Sequence, residues 1–242
     1  MTEFSKELIR VAELNEATKN LISQKSAEVF EALCSHMLEV NEHLNLTAIK
    51  DTDGVILKHF VDSVAIVPYI ESGARVCDIG CGGGFPTLPI AILRRDVSIL
   101  GVDSVTKKVN YVKDTASLLG LSNVAVSNSR AEELGQAPDY RESFDLVCAR
   151  ALGKLSLLCE LCLPLLKVGG SFIAMKSLTT GEELENAKNA ISVLGARLDR
   201  IVEYTLKNDT EELTRTMVII KKVSKTPKQY PRNNSQISKK PL

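Results

Sequence analysis

The stretch Val76-Cys77-Asp78-Ile79-Gly80-Cys81-Gly82-Gly83-Gly84-Phe85-Pro86 decides the fold. Apolar residues lead up to Ile79, four glycines follow within five positions, and an apolar segment opens on Pro86. That order reads as a strand, a tight turn and a helix, with glycines that permit positive φ and let backbone approach a ligand closely. It is not a dinucleotide fingerprint. The third small residue of G-x-G-x-x-G would fall at position 85, where this chain has Phe85, so NAD is disfavoured.

Outward from the turn, short β-branched runs alternate with helical periods. Strands are expected at Ala74 to Ile79, Ser98 to Asp103, Asn123 to Ser127, Phe144 to Ala149 and Ser171 to Lys176. Helices are expected between them, near Pro86 to Arg94, Val105 to Leu119 and Lys154 to Leu166, and after them from Glu182 to Leu194. Strands separated by helices make a parallel sheet covered on both faces. Two last strands, Arg197 to Leu206 and Thr214 to Lys222, read as an antiparallel hairpin. Upstream, Ser5 to Leu14, Ser26 to Leu44 and Val55 to Tyr69 carry helical periodicity. Together these predict an α/β, Rossmann-like class I methyltransferase fold: a seven-stranded, mostly parallel sheet with helices on both faces and an N-terminal helical extension. The expected organisation is an extension over residues 1–70 packed on the core, a core over 71–223 and a basic tail over 224–242.

Cofactor chemistry follows from the strand ends. Asp78, two residues before Gly80, matches the D-x-G-x-G motif of methyltransferases, where Gly80 and Gly82 shape the turn and the carboxylate acts on the amino end of the methionyl group. Asp103 ends the second strand 23 positions after Gly80, and with Ser104 beside it can accept both ribose hydroxyls, as the acid of dinucleotide enzymes does. Arg130-Ala131-Glu132 ends the third strand, where this fold grips adenine. The implied cofactor is S-adenosylmethionine.

Composition excludes other classes. Apolar residues make up 44% and charged residues 25%, an ordinary globular balance, and no apolar run is long enough to span a membrane. Six cysteines within strand- and helix-like segments fit a reducing, cytoplasmic setting; Cys159 and Cys162, and Cys77 and Cys81, are read as buried thiols and no metal is expected. Thirty bases balance thirty acids, yet residues 221–242 hold seven bases and no acid. Lys225, Lys228, Arg232, Lys239 and Lys240 are therefore candidate phosphate contacts.

Taken in order, Asn45-Leu46-Thr47-Ala48, His59-Phe60-Val61-Asp62-Ser63, Gly84-Phe85-Pro86, Asp103-Ser104 with Lys107-Lys108, Arg130-Ala131-Glu132, Arg150-Ala151, Lys176, Tyr230-Pro231-Arg232 and Lys240-Pro241-Leu242 resemble the glucose-inhibited division protein B family, guanine-N7 methyltransferases of small-subunit ribosomal RNA. The resemblance covers about Asn41 to Leu242. It implies a guanine of 16S ribosomal RNA as substrate, with naked RNA, an assembly intermediate and a mature subunit all left open; the working unit is expected to be a monomer. It maps cofactor contacts onto Gly80, Phe85, Ala131, Glu132 and Arg150, and sets Lys176 and Arg130 beside the target base. Thr87, Ser177, Asn233, Ser235 and Ile237 depart from the family pattern.

Guanine N7 carries an in-plane lone pair and no proton, so its methylation needs alignment and no general base. The chain accordingly lacks an N/D-P-P-Y motif and a cysteine nucleophile after proline. Arg150 and Lys176, at the ends of strands four and five, could hold O6 or a phosphate; alternatively they pair with Asp62 or Glu132 and only shape the pocket. His59 and Asp62 either line that pocket or form a helix-surface pair. His36 and His43 are read as structural. Two other functions share parts of these features: a small-molecule methyltransferase, which leaves the basic tail unexplained, and a non-catalytic RNA-binding module, which needs no intact turn.

Overall fold

The computed structural model describes all 242 residues. Helices α1 (Glu3–Leu14) and α2 (Gln24–Leu44) open the chain, each capped by a hydroxyl: Thr2 accepts from the Ser5 N–H and Ser23 from the Ser26 N–H. Next comes α3 (Thr52–Gly54), which widens into a π-helix over Val55–Val61 and tightens again into α4 (Asp62–Val64). A 3-10 turn, Val67–Tyr69, completes a segment expected as one regular helix. Then follow β1 (Arg75–Ile79), α5 (Thr87–Leu93), β2 (Ser98–Asp103), α6 (Thr106–Leu118), β3 (Val124–Asn128), α7 (Ala131–Leu134), β4 (Phe144–Arg150), α8 (Leu155–Cys162), β5 (Leu166–Lys176), α9 (Gly181–Val193), β6 (Ala196–Lys207), β7 (Glu212–Lys222) and α10 (Asn234–Lys239).

The seven strands form one sheet in the order β3-β2-β1-β4-β5-β7-β6. The first five are parallel, and β7 enters antiparallel between β5 and β6. This is the Rossmann-like methyltransferase arrangement that the alternating pattern predicts. Two short helices, α7 and α10, went unforeseen, because four residues and a polar hexapeptide carry too little periodicity. No helix is long and apolar enough to cross a membrane.

Side chains alternate between the faces of a strand, and here alternation places the functional groups. One face presents Val76, Ile99, Leu146, Ile173 and Ile219 to α1, α2, the π-helix, α5 and α6, so the first 70 residues share a continuous core with the sheet. Phe30 and Phe60, both fully buried, lie 5.0 Å apart within it. The other face presents Cys77, Val102, Val147, Phe172 and Val218 to α8, α9 and Ile237 of α10. Asp78 therefore belongs with Val76 under α5. Arg150 belongs with Leu146 and Cys148 on the first face, whereas Lys176 belongs with Phe172 and Ala174 on the second.

Candidate active site

At the carboxyl edge of β1 and β2 a cavity of about 270 Å³ opens, walled by Gly80, Asp103, Ser104, Arg130, Ala131 and Glu132 on one side. Leu152, Leu157 and Leu161 form the other wall, with Asn234 of α10. Gly80 sits at φ +75°, and a Cβ there would come within 2.6 Å of Leu152, so only glycine accommodates both the turn and the leucine above it. Asp103 is fixed by backbone: its Oδ2 accepts from the Gly82 N–H at 3.0 Å and its Oδ1 from the Val105 N–H at 2.8 Å. A carboxylate has about four lone-pair sites, which leaves acceptors for a vicinal diol. Glu132 and Arg130 lie 4.0 Å apart, with the arginine side chain 56% exposed. A larger hollow, about 700 Å³, lies between the end of α1 and β6, but no residue of the glycine turn reaches it. The smaller cavity is the one whose acceptors fit S-adenosylmethionine.

Asp78 corrects one expectation. It is fully buried on the α5 side of β1 and does not line the cavity. Its Oδ2 accepts from the Thr87 N–H at 3.2 Å and from the Thr87 hydroxyl at 2.6 Å and so fastens the start of α5, while its buried Oδ1 has no hydrogen-bond partner in the protein. Burial raises its pKa to about 6, against the Thr87 hydrogen bonds. Thr87, a departure from the family pattern, is thus its partner.

Arg150 lies on the opposite side of the turn from the cavity. One guanidinium nitrogen donates at 2.9 Å to both the Lys58 carbonyl and Asp62 Oδ2, and the other stands 3.3 Å from His59 Nδ1. Asp62, 6% exposed, also accepts from the Tyr204 hydroxyl at 2.9 Å, with Arg215 at 3.7 Å. Since a guanidinium only donates, His59 Nδ1 is the acceptor and Nε2–H donates to the Thr47 hydroxyl at 2.8 Å. The imidazole stacks on Phe85 at 4.6 Å. Burial, with Arg150 second, lowers its pKa to about 4. His59 and Asp62 are thus not a helix-surface pair; they belong to a buried network joining the π-helix, β4, β6 and β7. Phe85 is buried beneath this network and, like Gly82 and Arg150, does not line the cavity.

Lys176 Nζ is 2.7 Å from Glu183 Oε1 and donates to the Gly153 carbonyl at 2.9 Å. The same Glu183 oxygen accepts from the Leu155 N–H, so the lysine and α9 hold the loop that carries Leu152. Arg150 and Lys176 are therefore not brought together.

The tail is also corrected. Arg232 does not point outward: its Nε and NH2 donate to the fully buried Glu160 of α8 at 2.8 and 2.6 Å. Arg141 donates to the carbonyls of Tyr230 and Thr226, and Gln136 to that of Pro231. An isolated buried carboxylate is costly, and Arg232 is drawn in to match it. Lys225, Lys228, Lys239 and Lys240 stay exposed. Thr47, Tyr204, Arg215, Leu152 and Asn234 join the site without a clear signal of their own in the sequence. Thr47 stands within one of the family-like motifs, and Tyr204 is buried, with Ala196 and Leu206, in a mostly exposed edge strand.

The family model described as rRNA small subunit methyltransferase G matches residues 26–214. A ribosomal RNA small subunit methyltransferase G of Lactobacillus delbrueckii subsp. bulgaricus is 46% identical over 225 residues, covering 91% of this chain and 93% of its own. The protein of that name from Bacillus cytotoxicus is 43% identical, covering 91% and 92%. Among solved structures, TYW2 of M. jannaschii in complex with AdoMet aligns at TM-score 0.51 and 14% identity, over 63% of this chain and 71% of its own. The cyclase SpnF aligns at TM-score 0.52 and 17% identity, over 68% and 82%. Likeness at that level carries the fold alone, since it extends to a cyclase.

Proposed function

The chain belongs to the rRNA small subunit methyltransferase G family, and from that premise we propose that it methylates N7 of a guanine in 16S ribosomal RNA with S-adenosylmethionine. In this reading Asp103, fixed by the Gly82 N–H, accepts the ribose hydroxyls, Ser104, Ala131 and Glu132 hold the adenine end, and Gly80 brings backbone to the methionyl end. The bound S-adenosylmethionine supplies a methyl group on a sulfonium sulfur.

The observation that carries the N7 assignment is the state of His59. It is the one histidine beside the turn, and both its ring nitrogens are engaged, by Thr47 and Arg150. A pKa near 4 leaves it neutral at physiological pH, but its acceptor nitrogen faces a guanidinium. It is not free to take a proton from an amine or hydroxyl substrate. N7 has none to give, so the residues have only to orient the base and keep water out. Arg130 and Lys176, cationic groups at the strand ends, suit O6 or a neighbouring phosphate. Arg150 supports the turn from its far side by holding Asp62 and the π-helix. The exposed Lys225, Lys228, Lys239 and Lys240 contribute phosphate attraction. The protein works as a cytoplasmic monomer, where unassembled 16S RNA is found.

Asp103→Asn tests the cofactor half. Each missing charge-assisted hydrogen bond weakens binding by about 1.5–3 kcal/mol, so calorimetry with S-adenosylmethionine should read a drop of at least tenfold. Unchanged affinity in the folded variant would contradict the assignment. Transfer of labelled methyl from S-adenosylmethionine to 16S RNA, free and in graded assembly intermediates, tests the substrate half.

A further inference from the structure

We infer that the C-terminal segment completes the cofactor pocket, with Asn234 reading the adenine edge of S-adenosylmethionine; this rests on the cofactor assignment above. Asn234 is the first residue of α10 and lines the same cavity as Asp103, Ala131, Glu132, Leu157 and Leu161. Its position is held from both sides. Upstream, Arg232 donates to Glu160, a neighbour of Leu161 on the helix that forms the cavity wall. Downstream, Ile237 is buried in the core of the second sheet face, and the Asn233 side chain caps α10 by accepting from the Gln236 N–H at 3.0 Å. Asn234 is therefore carried on a docked element, although its own side chain is exposed.

The amide is also free to pair. Its one contact is a long one, 3.4 Å from the Ser238 hydroxyl to Oδ1, which leaves both Nδ2 hydrogens and an Oδ1 lone pair unused. One donor beside one acceptor is the complement of adenine, which offers a ring nitrogen next to its exocyclic amine, and is the pairing by which asparagine reads adenine in nucleic acids. The chemistry of the tail thus divides. Its lysines face solvent, whereas Arg232, Ile237 and Asn234 serve the cofactor side.

The test is calorimetric titration of the full-length protein and of its Asn234→Ala and Asn234→Asp variants. S-adenosylhomocysteine is one ligand; the other is S-inosylhomocysteine, in which the exocyclic amine is a carbonyl and N1 carries a hydrogen. Because Asn234 is exposed, both variants should keep the wild-type urea midpoint. The expected result is a roughly 3- to 10-fold loss of S-adenosylhomocysteine affinity in both, the range of one or two neutral hydrogen bonds; in Asn234→Ala the preference for the adenosyl over the inosyl ligand shrinks by a similar factor, whereas Asn234→Asp, which still accepts from the exocyclic amine, keeps it. Ser235→Ala, on the same helix and equally exposed, should bind as wild type. Unchanged affinity in both Asn234 variants, or an equal loss for the two ligands in Asn234→Ala, would overturn the inference while leaving the wild-type affinity, and so the cofactor assignment, intact. Failure of the wild-type protein to bind either ligand would overturn both.

Discussion

Arg150 and Lys176 end adjacent parallel strands, yet they leave the sheet on opposite faces: Arg150 pairs in register with Met175, one residue short of the lysine, and alternation does the rest. Arg150 is absorbed into the Asp62 network and Lys176 into the Glu183 latch. Their substitutions should separate. Arg150→Met leaves Asp62 without its closest cationic partner, and breaking a buried pair costs about 3–5 kcal/mol, readable in urea melts. Lys176→Ala should cost no more than about 1.5 kcal/mol and slow single-turnover methyl transfer about tenfold, with S-adenosylmethionine affinity within about twofold of wild type. A large loss of cofactor affinity in Lys176→Ala would make it a cofactor-pocket residue.

The stability of the protein in mild acid should carry the signature of His59. The native imidazole stays neutral down to about pH 4, whereas an unfolded histidine takes a proton near 6.5. Between those values the unfolded chain holds more protons, so the contribution of His59 is complete above 6.5 and is lost as pH falls to 4. Asp78 runs the other way: its native pKa near 6 exceeds the ordinary 3.8, so its contribution is complete below 3.8 and lost as pH rises to 6. The difference in unfolding free energy between wild type and His59→Gln should therefore grow with pH from 4 to 6.5, by at most about 1.4 kcal/mol per unit, and level off above. A difference flat across this window would show that His59 titrates normally in the native state.

Turning Arg232 inward separates stability from RNA attraction in the tail. Arg232→Ala strands the buried Glu160 carboxylate and should destabilise the fold by about 3–5 kcal/mol without changing the salt dependence of RNA binding. Replacing Lys225, Lys228, Lys239 and Lys240 with glutamine should do the reverse, lowering the slope of log affinity against log salt by up to about 0.7 for each phosphate no longer neutralised. The opposite pattern, a salt effect from Arg232 alone, would place that arginine on RNA.

What was legible in the sequence follows from what each signal measures. The strands were readable because short apolar runs, most of them with β-branched residues, recur between helical stretches, and β2 spans the very residues expected, Ser98 to Asp103. Asp103, Ser104, Ala131 and Glu132 meet at one cavity because parallel strands deliver their carboxyl ends to one edge. Facing was not legible in the same way. Asp78 and Arg150 looked like cavity groups because they sit beside the turn and at a strand end, but which side a residue takes depends on the helices covering each face. Distance in sequence hid the rest: Glu160 and Arg232 are 72 positions apart, and Asp62 and Tyr204 are 142. No local pattern announces such pairs. The Asn234 helix was invisible for a simpler reason, since only Ile237 in it is apolar.

The most direct test of the central claim is to locate the methyl group. Unmodified 16S ribosomal RNA, free or partly assembled, is incubated with the protein and labelled S-adenosylmethionine, digested to nucleosides and resolved by mass spectrometry. The label should appear as 7-methylguanosine, with one methyl per RNA at completion, and Asp103→Asn should lower its yield at limiting cofactor. Label on another base or on a ribose hydroxyl, or no transfer to any of these RNAs by a protein that binds S-adenosylmethionine, would contradict it.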